Sequence, residues 1–137
     1  MALTAKLQFG DNGFRRYSRE YLVTGYTCRL HRHHNGARPD AQGGCDHIEL
    51  TVVAPGKEDL NLFEWYIDRA VISGRILVEL PATDQSQTDE TREIQFENGA
   101  CYSIKEEYDI GQYSRRTLRL SIAVEELTVD HFVFSNR

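Results

Sequence analysis

The chain has 137 residues, 16 basic against 21 acidic side chains and a net charge of −5. Its length suits one folded domain over residues 1–137 with a sizeable core. The acidic balance argues against general nucleic-acid binding. No apolar run approaches the length of a membrane span, and the first residues lack the apolar core of a signal peptide. Synthesis in the cytoplasm without membrane insertion is expected, and export by a signal-independent machine stays open. Cys28, Cys45 and Cys101 are odd in number, so reduced, mostly structural thiols are expected rather than a disulfide framework. Charge is uneven: residues 1–38 hold seven Lys and Arg against two Asp and Glu, and residues 39–137 hold nine against nineteen. Unlike surfaces of that kind suit head-to-tail association. The alternative is that the charges scatter once the chain folds.

In chain order, Leu3, Ala5, Leu7 and Phe9 alternate with polar residues and predict a half-buried strand, closed by a turn at residues 10–13. Arg15, Arg16 and Arg19, interleaved with Phe14, Tyr17 and Tyr21, form a short basic patch. An anion or RNA could use it, but a solvated face fits the acidic whole better. A second strand is predicted from Tyr21 to Leu30, with Leu22, Thr24, Tyr26, Cys28 and Leu30 on one side. Residues 31–44 then read as a long loop, rich in glycine and polar residues. Loops of that length in a small domain are usually functional or disordered.

Asp46 to Val53 is the third predicted strand, with Ile48, Leu50 and Val52 inward. Residues 58–70 are the one convincing helix. Leu60, Phe63, Ile67 and Val71 recur at spacings of three and four and share a face, which Leu62 and Tyr66 widen. Leu60, Phe63, Trp65 and Ile67 are the residues expected to pack the helix onto the core. Asp59 or Asn61 is positioned to cap its start, and Gly74 stands where a helix usually stops. Strands follow at 75–80, at 91–96 and at 101–110, the last with Tyr102 and Ile104 on its apolar side. Asn98-Gly99 between the latter two is a two-residue hairpin signal. Arg116 to Glu125 alternates cleanly, with Leu118, Leu120, Ile122 and Val124 inward, and Val129 to Phe134 closes the chain. About eight short strands with one helix predict a mainly β fold, a small barrel or sandwich.

The sharpest chemical constellation is Cys28, His31, His33, His34, Cys45 and His47. Two Cys and two His make a tetrahedral zinc site, but Cys28-x-x-His31 and Cys45-x-His47 match no standard ligand spacing. A core thiol beside a hydrated, histidine-bearing loop is the preferred reading, and a small-ligand or metal-binding barrel is the alternative function. No Gly-x-Ser-x-Gly, His-Glu-x-x-His or phosphate-cradling loop is present. Glu106 with Glu107, and Glu125 with Glu126, are strand neighbours that point to opposite faces. No enzyme, cofactor or metal is expected from these residues.

Three features carry a family resemblance. Leu62-Phe63-Glu64-Trp65 opens the single helix and is followed by Gly74-Arg75-Ile76-Leu77-Val78. The loop from Gly36-Ala37-Arg38-Pro39 to Gly43-Gly44 runs straight into Ile48-Glu49-Leu50-Thr51-Val52. The order is two strands, long loop, strand, helix, then strands to the end, with an opening like Ala5-Lys6-Leu7-Gln8-Phe9. In these the chain resembles the Hcp (TssD) family, the tube protein of type VI secretion systems, most closely the forms found in Bacteroidota.

The resemblance implies a small β-barrel flanked by a helix. It implies rings of six subunits stacked into a tube that a contractile sheath drives from the cell, so the subunit is secreted on firing. Effector cargo in the lumen, a VgrG-type spike as cap and no catalysis also follow from it. It assigns residues 31–44 to contact with the neighbouring ring: His31, Arg32, His33, His34, Asn35, Arg38, Asp40 and Gln42. Arg32, His33, His34 and Arg38 are then candidates to meet an acidic surface. The arginine-rich stretch 14–19 and the run His31-Arg32-His33-His34 depart from the family pattern. They leave open which surface makes each contact.

Overall fold

The structure is a computed structural model. It describes residues 4–31, 34–35, 38–39, 44–80, 90–108, 110 and 116–135, with the backbone alone at 31, 34–35, 38–39, 44–46 and 135. The elements are β1 (Thr4–Asp11), β2 (Arg16–His31), β3 (His34–Asn35), β4 (Arg38–Pro39), β5 (Gly44–Val53), α1 (Asn61–Asp68), β6 (Val71–Leu80), β7 (Glu90–Tyr108), β8 (Arg116–Ala123), β9 (Glu126–Val129) and β10 (Phe132–Ser135). Every strand pairing is antiparallel. Six strands pair in the order β7-β6-β1-β2-β5-β8, and β8 returns to β7, so the hydrogen-bonding closes on itself. The β9–β10 hairpin adds to the first half of β7. This is the mainly β, one-helix architecture expected, with its strands closed in a ring.

Alternation places the core inside the closed strands. Leu7 and Phe9 of β1, Ile48, Leu50 and Val52 of β5, Ile94 and Phe96 of β7, and Leu118, Leu120 and Ile122 of β8 are buried, as their period of two predicts. Val124, just after β8, is buried as well.

Three of the register irregularities account for the main departures from the period. In β2, Val23 opposes Val52 and Gly25 opposes Thr51, leaving Thr24 as an extra residue. Tyr21 and Val23 point inward before it, and Tyr26 and Cys28 pack on the core after it. Leu22 was expected inside and is instead half exposed, because a bulge switches which residues face the core. In β7, Tyr102 is the extra residue between Cys101, opposite Ile122, and Ser103, opposite Ser121. Cys101 is therefore buried and Tyr102 exposed, the reverse of the expectation.

The third bulge replaces the expected hairpin. Ile72 pairs with Gly99 and Gly74 with Phe96, so Ser73 alone faces both Glu97 and Asn98. Asn98 takes a φ of 54°, and its N–H donates to the Ser73 hydroxyl at 3.1 Å. Asn tolerates the left-handed region, and here that conformation bends one continuous strand rather than reversing the chain. The first half of β7 pairs with β6 and β9, and the second half with β8. At the end of the chain the expected single strand 129–134 is split by a turn, with Asp130 at φ 55°.

The helix is shorter than expected. It stops at Arg69, whose φ of 54° gives a left-handed cap, so Val71 belongs to β6 and not to the helix. Gly74 lies within β6 and is needed there for close approach: a Cβ would fall 2.3 Å from the Gln8 carbonyl oxygen. At the helix start the Asp59 carboxylate accepts the Asn61 N–H at 3.1 Å.

The core-facing residues of α1 also differ from the expectation. Leu62 and Trp65 are buried and Phe63 is partly buried, while Leu60 is 52 % exposed and Ile67 70 % exposed. At 100° per residue, the Leu60/Phe63/Ile67 set lies roughly 160° around the helix from Leu62 and Trp65. A helix with two apolar faces offers two choices, and the larger side chain, Trp65, won the core.

Candidate functional site

Trp65 anchors the helix to the inner surface of the strands. Its ring packs edge-on against Phe9 with centroids 5.1 Å apart, and Phe9 in turn touches Tyr21 and Phe96. The Tyr21 hydroxyl reaches the Asp59 carboxylate at 3.3 Å. Burial and the Asp59 charge both push the Tyr21 phenol upward. With Trp65 inward, Ile67, Glu64 and Asp68 of α1 are exposed, as are Glu58 and Leu60 before the helix and Val71 at the start of β6. A cleft of about 210 Å³ adjoins this outward side, lined by residues that include Pro55, Leu60, Phe63, Tyr108, Arg116 and Leu118. The Arg116 guanidinium closes one wall by donating to the Pro55 carbonyl at 2.5 Å.

A second feature is an arm. β1 accompanies β2 only as far as Val23, and β8 accompanies β5 only from Ile48 onward. Beyond those points, among the described residues, β2 and β5 pair with each other alone, to His31 opposite Gly44. The β3–β4 pair, with Asn35 opposite Arg38, follows in the connection. A two-stranded ribbon is marginal in water by itself, so an arm of this kind is suited to lean on something else. His31 ends β2, and His34, Asn35 and Arg38 fall on the short strands β3 and β4. Arg32, His33, Asp40 and Gln42 lie outside the described residues.

The basic patch resolves into unlike parts. Glu93 holds Arg75 at 2.6 Å and Arg15 at 2.9 Å. Arg75 also donates to Gln8 at 2.7 Å and lies 4.0 Å over the Tyr17 ring. The Tyr17 hydroxyl donates to Asn12, whose amide reaches the carbonyls of Gly74 and Phe96 and the Glu97 carboxylate. Partial burial pulls the Glu93 carboxyl upward, but hydrogen bonds and charge from Arg15 and Arg75 outweigh it and hold the group below its ordinary value. Arg16 and Arg19 remain exposed and make no ion pair among the described residues. Sequence reasoning missed this network because its members are scattered from residue 8 to residue 97. Register alone brings Gln8, Arg75 and Gln95 into one row.

The Cys/His cluster is not drawn together where it is described. Cys28 packs on the core, whereas His47 turns to Glu49 at 3.4 Å and to the Tyr102 ring. Among the described residues no group of three or more Cys, His, Asp or Glu converges on a metal position. Burial pushes the Cys101 thiol up to about 11, the range of an inert thiol rather than a nucleophile. No described helix is long and apolar enough to cross a membrane.

With the fold in view, comparison with known proteins is decisive. The model of the family "Hemolysin coregulated protein Hcp (TssD)" matches residues 1–137. The chain belongs to the Hcp (TssD) family. That family is the type VI secretion tube protein, and this member shares its β-rich fold with solved Hcp structures. Hcp1 from Flavobacterium johnsoniae is 18 % identical, with a TM-score of 0.65 over 99 % of this chain and 100 % of that one. Hcp1 from Salmonella typhimurium is 12 % identical, with a TM-score of 0.63 over 98 % and 93 %. Hcp3 from Pseudomonas aeruginosa, described as a secreted protein, is 9 % identical, with a TM-score of 0.61 over 98 % and 97 %. At such low identity the structural likeness speaks for the fold alone. No curated protein sequence matches significantly.

Proposed function

We propose that this Hcp-family chain is a structural subunit of the type VI inner tube. Six copies close into a ring, and rings stack into a tube. The tube assembles in the cytoplasm inside a contractile sheath, is capped by a VgrG-type spike, and is propelled outward with effectors in its lumen. The chain's part is mechanical rather than catalytic, and it uses no cofactor. The family match across the whole chain carries this reading.

The arm supports a division of labour within it. We assign ring-to-ring contact to His31, His34, Asn35 and Arg38, on strands β2 to β4, and to Arg32, His33, Asp40 and Gln42 of the same stretch of sequence. Arg32, His33, His34 and Arg38 bring positive or protonatable groups to that contact. Light scattering on a sizing column tests the ring, with an expected mass of six times the 15.8-kDa subunit. A monomer at every concentration rejects it. Replacing Arg32, His33, His34 and Arg38 together with serine is expected to leave rings intact and to abolish their stacking in negative-stain images.

A further inference from the structure

The outward side of α1 is the strongest unassigned surface. Leu60 and Ile67, on one helical face, are 52 % and 70 % exposed, and that apolar stripe reaches the cleft at Leu60 and Phe63; Val71, at the start of β6, is 59 % exposed. Glu64 and Asp68 of α1, and Glu58 before it, are exposed and without an ion pair among the described residues, while the cleft itself is lined by Lys57 and Arg116 beside Asp59 and Glu106. An apolar stripe with an acidic border asks for an apolar knob with a basic one. The chain itself carries such a knob. Phe14, in the β1–β2 turn, is 78 % exposed, the most exposed aromatic side chain among the described residues. The Asp11 carboxylate holds the turn by accepting the N–H groups of Gly13 and Phe14. Arg15 braces it against Glu93, and Arg16 is exposed beside it and makes no ion pair among the described residues.

We infer that the cleft and stripe of α1 are the socket for the β1–β2 turn of a second copy, with Phe14 filling the cleft and Arg16 facing the acidic border. Socket and knob share no residue: the knob is built on the β1–β2 turn, pinned by Asn12 to the carbonyls of Gly74 and Phe96, and the socket on α1 and the segment before it, anchored through Trp65 to the Gly99 carbonyl. A contact between unlike surfaces is heterologous, and repeated around an axis it closes a ring. It also gives the uneven charge of the sequence a use: the knob comes from the basic first third, and the socket lies in the acidic remainder. The inference rests on the tube-subunit reading and names the side-to-side contact within it.

The test is a charge swap on the full chain, read by light scattering. Arg16→Glu and Glu64→Lys, each alone, are expected to raise the concentration needed for assembly on the order of tenfold or more. An equimolar mixture of the two is expected to recover six-subunit rings, because alternating copies again present opposite charges at every contact. The double variant R16E/E64K is expected to recover them as well. Phe14→Ser is expected to give a folded monomer whose circular-dichroism melt matches that of dilute, disassembled wild type. Wild-type protein that stays monomeric overturns both the tube reading and this contact. Wild-type rings with unchanged assembly of the single variants, or with no recovery in the mixture, overturn the contact alone. A mixture that stops at dimers overturns the heterologous geometry.

Discussion

The indole N–H of Trp65 donates to the backbone carbonyl of Gly99, 34 residues downstream, at 3.0 Å in a buried setting. One bond thus ties the helix to the strand residue next to the bend in β7. Trp65→Phe keeps an aromatic ring but strands that carbonyl, at an expected cost of about 1–3 kcal/mol. Trp65→Ala adds a cavity and is expected to cost roughly 3–5 kcal/mol. Urea unfolding of the two variants beside the wild type separates the bond from the packing.

The two faces of α1 make a paired prediction. Leu62 is 1 % exposed and Ile67 70 % exposed. Leu62→Ala is expected to lose about 2–5 kcal/mol. Ile67→Ser is expected to stay within about 0.5 kcal/mol of wild type when both are compared as monomers. Denaturant midpoints at low protein concentration check this.

Glu93 makes stability depend on acidity. Its carboxyl is held below its ordinary value of 4.5 when folded, because the pull of Arg15 and Arg75 exceeds the cost of burial. The folded state therefore favours the ionised form. Its contribution is complete above the unfolded value, and it is lost as pH falls through the folded one. Glu93→Gln is expected to flatten the decline in stability below about pH 4.5, read as denaturant midpoints at successive pH values.

Cys101 is 6 % exposed, and its thiol is pushed up to about 11 by burial. With a thiol-specific reagent at pH 8, peptide mapping is expected to find Cys101 unlabelled in the folded protein and labelled at once in urea. Rapid labelling of Cys101 in the native state would mean that β7 opens locally.

Much of the architecture was legible in the residues. The alternation of Ile48-Leu50-Val52 and of Leu118-Leu120-Ile122 follows directly from one face in water and one in the core. What escaped was set by partners far away in sequence. Thr24 and Tyr102 are extra residues only because β5 and β8 lack counterparts for them. Asn98-Gly99 satisfies the same φ requirement in a hairpin and in a bulge, and Ser73 on β6 decides between them. The face of α1 was misread because both sides of the helix are apolar, so spacing alone does not say which one meets Phe9. For the assembly surfaces, the helix stripe was visible as a pattern. The Glu93 network that braces the β1–β2 turn became visible only with the strand register.

The length of β7 has a mechanical consequence. Its 19 residues bond to β6 along one edge and to β9 and then β8 along the other. Antiparallel hydrogen bonds lie perpendicular to their strands, so tension along β7 loads many of them in shear at once instead of peeling them one at a time. A force applied to either half of the subunit is thereby shared with the other. Strands β6, β8 and β9 thus carry such a load together through their pairing with β7.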